Sequence, residues 1–486
     1  MDKSKAISIL KTFSDDEFRE FGQFVASPVF NTEKPVIKLF DQLKKYYPDF
    51  NADRVAREKV YKKLYPGKKY SDGVMRNLSS KLYKLCEEYL AFRGFKKDKY
   101  RVQFSLLREL SERKLPALYE KNYKELRKIV EEIGIRDEEF FLKMFYLEQD
   151  LVVHLKNQKS AVFLEEDNAQ DIADNLSRFF LVAIIKLYAY MANEKKFLYD
   201  YDFKMTFLDQ IDEHLKINKD EYKDEPYIEL FHNALNLFLH EKEETYLDLR
   251  KTLNKYYSKL ENIDRKNMYV VLANYCAERI RKGNIKYLRE KFELYKEIIK
   301  RDGQYEPGGF IHHIFYKRVV TNAIELGEIK WAENFIEKYK DDVPVEYRDS
   351  NYFYCKALIE YGKKEYGKAL EMLSKVQTED ISYKVEIRTL LLMIYYDTEQ
   401  SDAFDSTVDS FRHLITNNRL ISSVWQTRER NFVNFAKRMF DLKMKAGKKD
   451  GFNIKKLEDE INSSGTLQNR FWLQQKCREL SSTARP

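Results

Sequence analysis

From about residue 236 onward, a turn followed by apolar residues at steps of three and four returns every 37 to 44 residues. In "RKGNIKYLREKFELY", Gly283 precedes Ile285, Leu288, Phe292 and Tyr295. "ELGEIKWAENFIEKYKDDVP" repeats this with Gly327, Ile329, Ala332, Ile336 and Tyr339, then Pro344. "YGKKEYGKALEMLSKV" supplies Lys364, Tyr366, Ala369, Leu373 and Val376, and "HEKEETYLDLRKTLNKYY" supplies Glu244, Tyr246, Leu249, Leu253 and Tyr256. One occurrence is uninformative; four mark a repeated helical pair, which can bury its apolar face only against neighbouring pairs. Helical spacing dominates the rest of the chain as well, and strand-like alternation of any length is absent, so the predicted fold class is all-α. With 486 residues, the chain exceeds the ~250–300 at which single cores stop growing. Its 9 Pro and 15 Gly are too few for many tight turns, which favours a helical array over several small domains.

This pattern resembles the tetratricopeptide repeat family over about residues 236–420. The best copy spans about 313–346, where Tyr316 and Val319 also match large positions of the first helix. Tyr256, Tyr295 and Tyr339 stand where that family usually has a small residue, and the repeats exceed its ~34-residue length. The resemblance implies an α-solenoid whose first helices line a concave surface. On that basis Lys317, Thr321 and Ile324, then Asn351, Tyr354, Leu358 and Tyr361 in the next copy, would face a partner. Lys317 could hold a peptide carboxylate while Tyr354 and Tyr361 supply apolar contact; the aromatics could equally be packing between repeats. Residues 96–235, including "YEKNYKELRKIVEEIG", read as helical without a clear phase. Residues 421–486, with "AGKKDGFN" as an internal turn, are expected to cap the C-terminal end, and residues 1–95 the other.

The net charge of +8 lies entirely within residues 1–100, which hold 22 Lys and Arg against 14 Asp and Glu. Between 54 and 84, ten basic residues meet only Glu58 and Asp72, an asymmetry suited to an anionic partner. Ser14, with Glu17 three residues on, has the capping-box pattern, and Asp53 and Ser71 are further predicted helix starts. From Met75 the apolar stripe Met75, Leu78, Leu82, Leu85, Tyr89 and Phe92 leaves Arg76, Ser80 and Lys84 in one exposed row. Asn77 and Lys81 lie beside that row, and Lys68 and Lys69 occupy the preceding turn, as a recognition helix would require. "KKLYPGKKYSDGVMRNLSSKL" is similar to the winged-helix domains of bacterial antibiotic-pathway activators, which continue into tetratricopeptide-like repeats. The match covers about 30 residues, and "FRGFKKDKYRVQFSLLREL" after it reads as turn and helix, not as a wing.

Catalytic patterns are weak. Ser27 lacks a G-x-S-x-G elbow, and Glu229 with His232 gives one E-x-x-H where a di-iron bundle needs two. His312 and His313 follow Gly308 and Gly309 at a helix start that could take a phosphate, but "YPGKKYS" lacks the first glycine of a P-loop. "HEKEET" and "RDEEF" read as solvated helix faces and starts. Cys86, Cys276, Cys355 and Cys477 have no metal or disulfide spacing and are expected in the core. The longest apolar run, Phe179 to Ile185, cannot span a bilayer. The expectation is a cytoplasmic, non-enzymatic scaffold or adaptor, without cofactor or metal, that binds a protein segment through its repeat surface. A small-molecule ligand is not expected. The alternative is a DNA-binding transcription regulator using residues 50–95, with the repeats as sensor.

Overall fold

The computed structural model describes residues 3–158, 166–197, 203–301, 303–306, 308–418, 421–445, 451–465 and 467–483. Pro307 and residues 446–450 of the predicted turn "AGKKDGFN" lie outside them, and the last three residues of that turn, 451–453, are helical. Among the described residues every extended element is an α-helix; the sole β feature is an isolated bridge between Tyr305 and Ile311. The helices are α1 (Lys5–Leu10), α2 (Asp15–Ala26), α3 (Lys34–Lys44), α4 (Arg57–Leu64), α5 (Asp72–Lys97), α6 (Lys99–Glu112), α7 (Pro116–Glu132) and α8 (Glu138–Gln158). Then follow α9 (Glu166–Phe197), α10 (Leu208–Ile217), α11 (Pro226–His240), α12 (Glu243–Tyr256), α13 (Asn262–Arg281), α14 (Lys286–Lys300), α15 (His313–Glu325) and α16 (Ile329–Tyr339). The last are α17 (Val345–Gly362), α18 (Tyr366–Ser374), α19 (Ile381–Asp397), α20 (Ser401–Asn417), α21 (Ser423–Met444), α22 (Gly451–Ser463) and α23 (Arg470–Thr483). Two compact units result: residues 1–133 with 143–172, and residues 134–142 with 173–486. These divisions do not fall at 95, 235 or 420, because α8 and α9 each contribute to both units.

In the first unit, the Ser14 side chain accepts from the Glu17 amide while Glu17 accepts from the Ser14 amide, fixing the start of α2. Ser71 caps α5 in the predicted way. Asp53 does not start a helix: residues 51–55 form a turn closed on the Asn51 carbonyl, and α4 begins at Arg57. The α5 stripe from Met75 to Tyr89 is buried against α1–α4, whereas Phe92 is 40% exposed. No strand follows α5 among the described residues, so the segment after it is turn and helix.

Consecutive helices form antiparallel hairpins: α6 with α7, α11 with α12, α13 with α14, α15 with α16, α17 with α18, and α19 with α20. Each hairpin turns through one left-handed residue, at Lys114, Glu241, Gly283, Gly327, Lys364 and Glu399 respectively. The residue five positions later is buried in every case: Tyr119, Tyr246, Leu288, Ala332, Ala369 and Phe404. This turn corrects the register of the first copy by three residues, from Glu244 to Glu241. It also reveals two hairpins the sequence pattern had not phased, at 99–132 and 381–417. A left-handed conformation costs a side-chain-bearing residue about 1 kcal/mol relative to glycine. Lys364→Gly and Glu399→Gly should therefore each raise the free energy of unfolding by about 0.5–1 kcal/mol in urea titrations.

The C-terminal helices depart from the expected cap. α21 does pack on α20, but α23 returns to α13, far back in the chain. Arg470, 2% exposed, donates to the carbonyls of Arg281 (2.6 Å), Ile461 (2.5 Å), Asn462, Ser464 and Gly465, filling acceptors left open at the ends of α13 and α22. Trp472 Nε1 donates to the Tyr361 hydroxyl at 2.9 Å, and Lys476 pairs with Asp397 at 2.6 Å. All four cysteines are buried.

Candidate binding surfaces

The residues expected on a concave partner face lie largely inside the second unit. Lys317 on α15 is 2% exposed; its ammonium pairs with Glu386 at 2.7 Å, donates to Ser382 at 3.1 Å and sits 3.8 Å from the Tyr383 ring centroid. Asn351 is fully buried and accepts from the Tyr383 hydroxyl at 2.6 Å. Tyr354 and Leu358 are buried, Tyr354 packing edge-on to Tyr383. Ile324 and Tyr361 are half-buried against the core, and Tyr361 donates to Asp397 at 2.9 Å while accepting from Trp472. Thr321 donates to the Lys317 carbonyl. These side chains are brought together, but by α19 and α23 of the same chain. The physical reason is that Lys317 reaches past α17 to Ser382, Tyr383 and Glu386 on α19, so its ammonium is already paired within the chain.

The same bypass recurs between α9 and α13. Lys186 pairs with Asp264 and Glu138, each at 3.0 Å; Asn267 donates to the Tyr190 hydroxyl at 2.9 Å, and Asn274 to Asn193 at 3.0 Å. Beside this seam, both helices leave large apolar side chains in water. Leu176, Phe180 and Leu187 share one face of α9 and are 44–51% exposed; Ile263 and Val270 share one face of α13 at 52% and 47%. This row was missed in the sequence, although spacings of four, seven and seven are visible once both buried faces are known.

On the first unit, Arg76, Asn77, Ser80 and Lys84 are exposed along α5, and Lys68 and Lys69 on the turn before it. Their charges are not equally free. Arg76 pairs with Asp72, which also holds Arg57 at 3.1 Å, and Lys81 pairs with Glu33 at 2.6 Å. The hydrogen bond from Arg76, with those from Tyr70 and Arg57, keeps the Asp72 carboxyl below its ordinary range, so the acid stays charged beside the helix start. Lys68 lies over the Tyr65 ring, while Lys69 and Lys84 form no ion pair among the described residues.

The remaining candidates do not converge. His232 bonds Asp212 at 2.9 Å, whereas Glu229 accepts from the Tyr256 hydroxyl at 2.8 Å, so the E-x-x-H pair serves two different neighbours. His312 caps α15 through the Ile314 amide, and His313 stacks on Tyr347 with centroids 4.0 Å apart. Among the described residues, no group of three His, Cys, Asp or Glu could hold a metal, and no helix is long and apolar enough to cross a membrane. No protein-family model matches the chain, and no curated protein is similar to it.

Proposed function

We propose that the chain is a non-enzymatic, tetratricopeptide-like helical-repeat adaptor that binds a segment of a partner protein. The observation that carries this reading is the apolar row of Leu176, Phe180, Leu187, Ile263 and Val270, held in register by the polar seam between α9 and α13. Folded chains seldom leave such aligned large side chains in water unless another surface covers them. Six hairpins sharing one left-handed turn, five of them in the second unit, support the repeat itself. The partner site then moves from the predicted positions around Lys317 to the α9 and α13 faces, with an amphipathic helix as the fitting occupant. Leu187→Asp with Val270→Asp should keep the fold, since both residues are about half exposed. Capture from native cell extract, with mass spectrometry of both forms, should show at least one protein retained by the wild type and lost by the double variant. Identical captured sets would exclude this face.

A second reading, duplex recognition by α5, is supported by the exposed Arg76, Asn77, Ser80 and Lys84 and by the packing of α5 on both α3 and α4. It requires an affinity for duplex DNA that falls steeply with salt.

A further inference from the structure

A second concentration of positive charge on the first unit lies away from the α5 row. An open cleft of about 600 Å³ between the end of α3, the 51–56 segment and α4 is lined by Tyr46, Asp53, Arg54, Lys59, Lys62 and Lys63. Four cations thus face one carboxylate. Among the described residues, Arg54, Lys59 and Lys62 form no ion pair, whereas Arg57, Arg76 and Lys81 nearby are each paired with a carboxylate. Lys63 donates to the Tyr46 hydroxyl at 2.5 Å and lies 5.2 Å from that ring's centroid, so a phenol stands where an acid would ordinarily be. The hydrogen bond from Lys63, aided by the charges of Lys63, Lys45 and Arg54, draws the Tyr46 phenol below its usual range, a sign of how positive the cleft is.

We propose that this cleft binds a small ligand carrying a run of phosphate groups, held by Arg54, Lys59, Lys62 and Lys63. Like charges around a concavity repel one another, and a multiply charged anion relieves all of those repulsions at once. The Arg54 guanidinium can grip one phosphate with two hydrogen bonds, while the lysines act as point charges along the rest. The cleft volume falls in the range of small-ligand sites, about 300–1,000 Å³. The Tyr46 ring at the edge offers a face on which a base could stack. This ligand departs from the sequence-based expectation, because the contacts come not from a P-loop but from side chains of α4 and of the segment before it.

Calorimetric titration of the full chain with tripolyphosphate tests the proposal, at about 150 mM salt, where the screening length is ~8 Å. Saturable binding is expected, weakened at least tenfold by Lys59→Ala with Lys62→Ala. Both residues are exposed, so folding is retained. Lys68→Ala with Lys69→Ala should leave it unchanged. A nucleoside triphosphate forms the second arm: tighter binding than tripolyphosphate assigns the source as a nucleotide, equal binding as a free polyphosphate. Absence of tripolyphosphate binding, equal loss in both double variants, or binding of a 20-base-pair duplex alone would each overturn the assignment.

Discussion

Glu429→Gln should stabilise the protein at pH 8 by about 2–3 kcal/mol and remove one component of its pH dependence. Glu429 lies on α21, 3% exposed, with Trp425 Nε1 donating to one carboxylate oxygen at 3.0 Å. Burial pushes its carboxyl up from 4.5 to about 7, and the Glu386 carboxylate adds to that, while Trp425, Arg281 and Arg428 oppose it. The folded-state value exceeds the unfolded one, so the folded protein holds an extra proton between about pH 4.5 and 7. The associated stability is complete below pH 4.5 and is lost as pH rises through 7. Glutamine keeps the acceptor for Trp425 and carries no charge to bury. His154, His232 and His313, whose values are lowered by burial, contribute the opposite slope, so the informative quantity is variant minus wild type. Melting curves from pH 5 to 8 should show that difference growing with pH and levelling near 7; a constant difference would refute the buried-acid account.

Lys317→Ala should cost about 3–4 kcal/mol, and Lys317→Met about 1 kcal/mol or less. Alanine removes the ammonium from Glu386 and Tyr383 and leaves the space of a long side chain empty in a site that is 2% exposed. Methionine refills that volume without a charge to desolvate, and Glu386, more than a third exposed, can turn to water. Guanidinium titrations of the two variants decide the matter. Equal small losses would mean that the contact between α15 and α19 bears little of the unit's stability.

The helical class and much of the repeat register were legible because they depend on local spacing. Gly283 and Gly327 announced their turns, since glycine is the residue that adopts a left-handed conformation without strain. Lys364 was placed by its register with them, whereas Glu241 and Glu399 adopt the same conformation without a matching signal, and "HEKEET" offered nothing to separate Glu241 from Glu244. Met75 to Tyr89 read correctly as a buried stripe, whereas Phe92 continued the period but is only partly covered, by the Phe24 and Phe30 rings. The burial of Lys317 and Asn351 was not legible: polar residues on a first helix suggest a wet face, and the groups that bury them lie 32 to 69 residues downstream, at Ser382, Tyr383 and Glu386. Arg470 meets Arg281 across 189 residues, a distance over which no periodicity carries information.

The struts from Lys186 to Asp264 and from Lys317 to Glu386 change how such a chain comes apart. A row of hairpins linked only to their immediate neighbours frays from its ends one hairpin at a time. Here each strut clamps a whole intervening hairpin between its anchors, so removing either anchor frees two junctions together. Melting should proceed in blocks, α9 to α14 together and α15 to α20 together, and excising a single hairpin should do more damage than trimming one from a terminus.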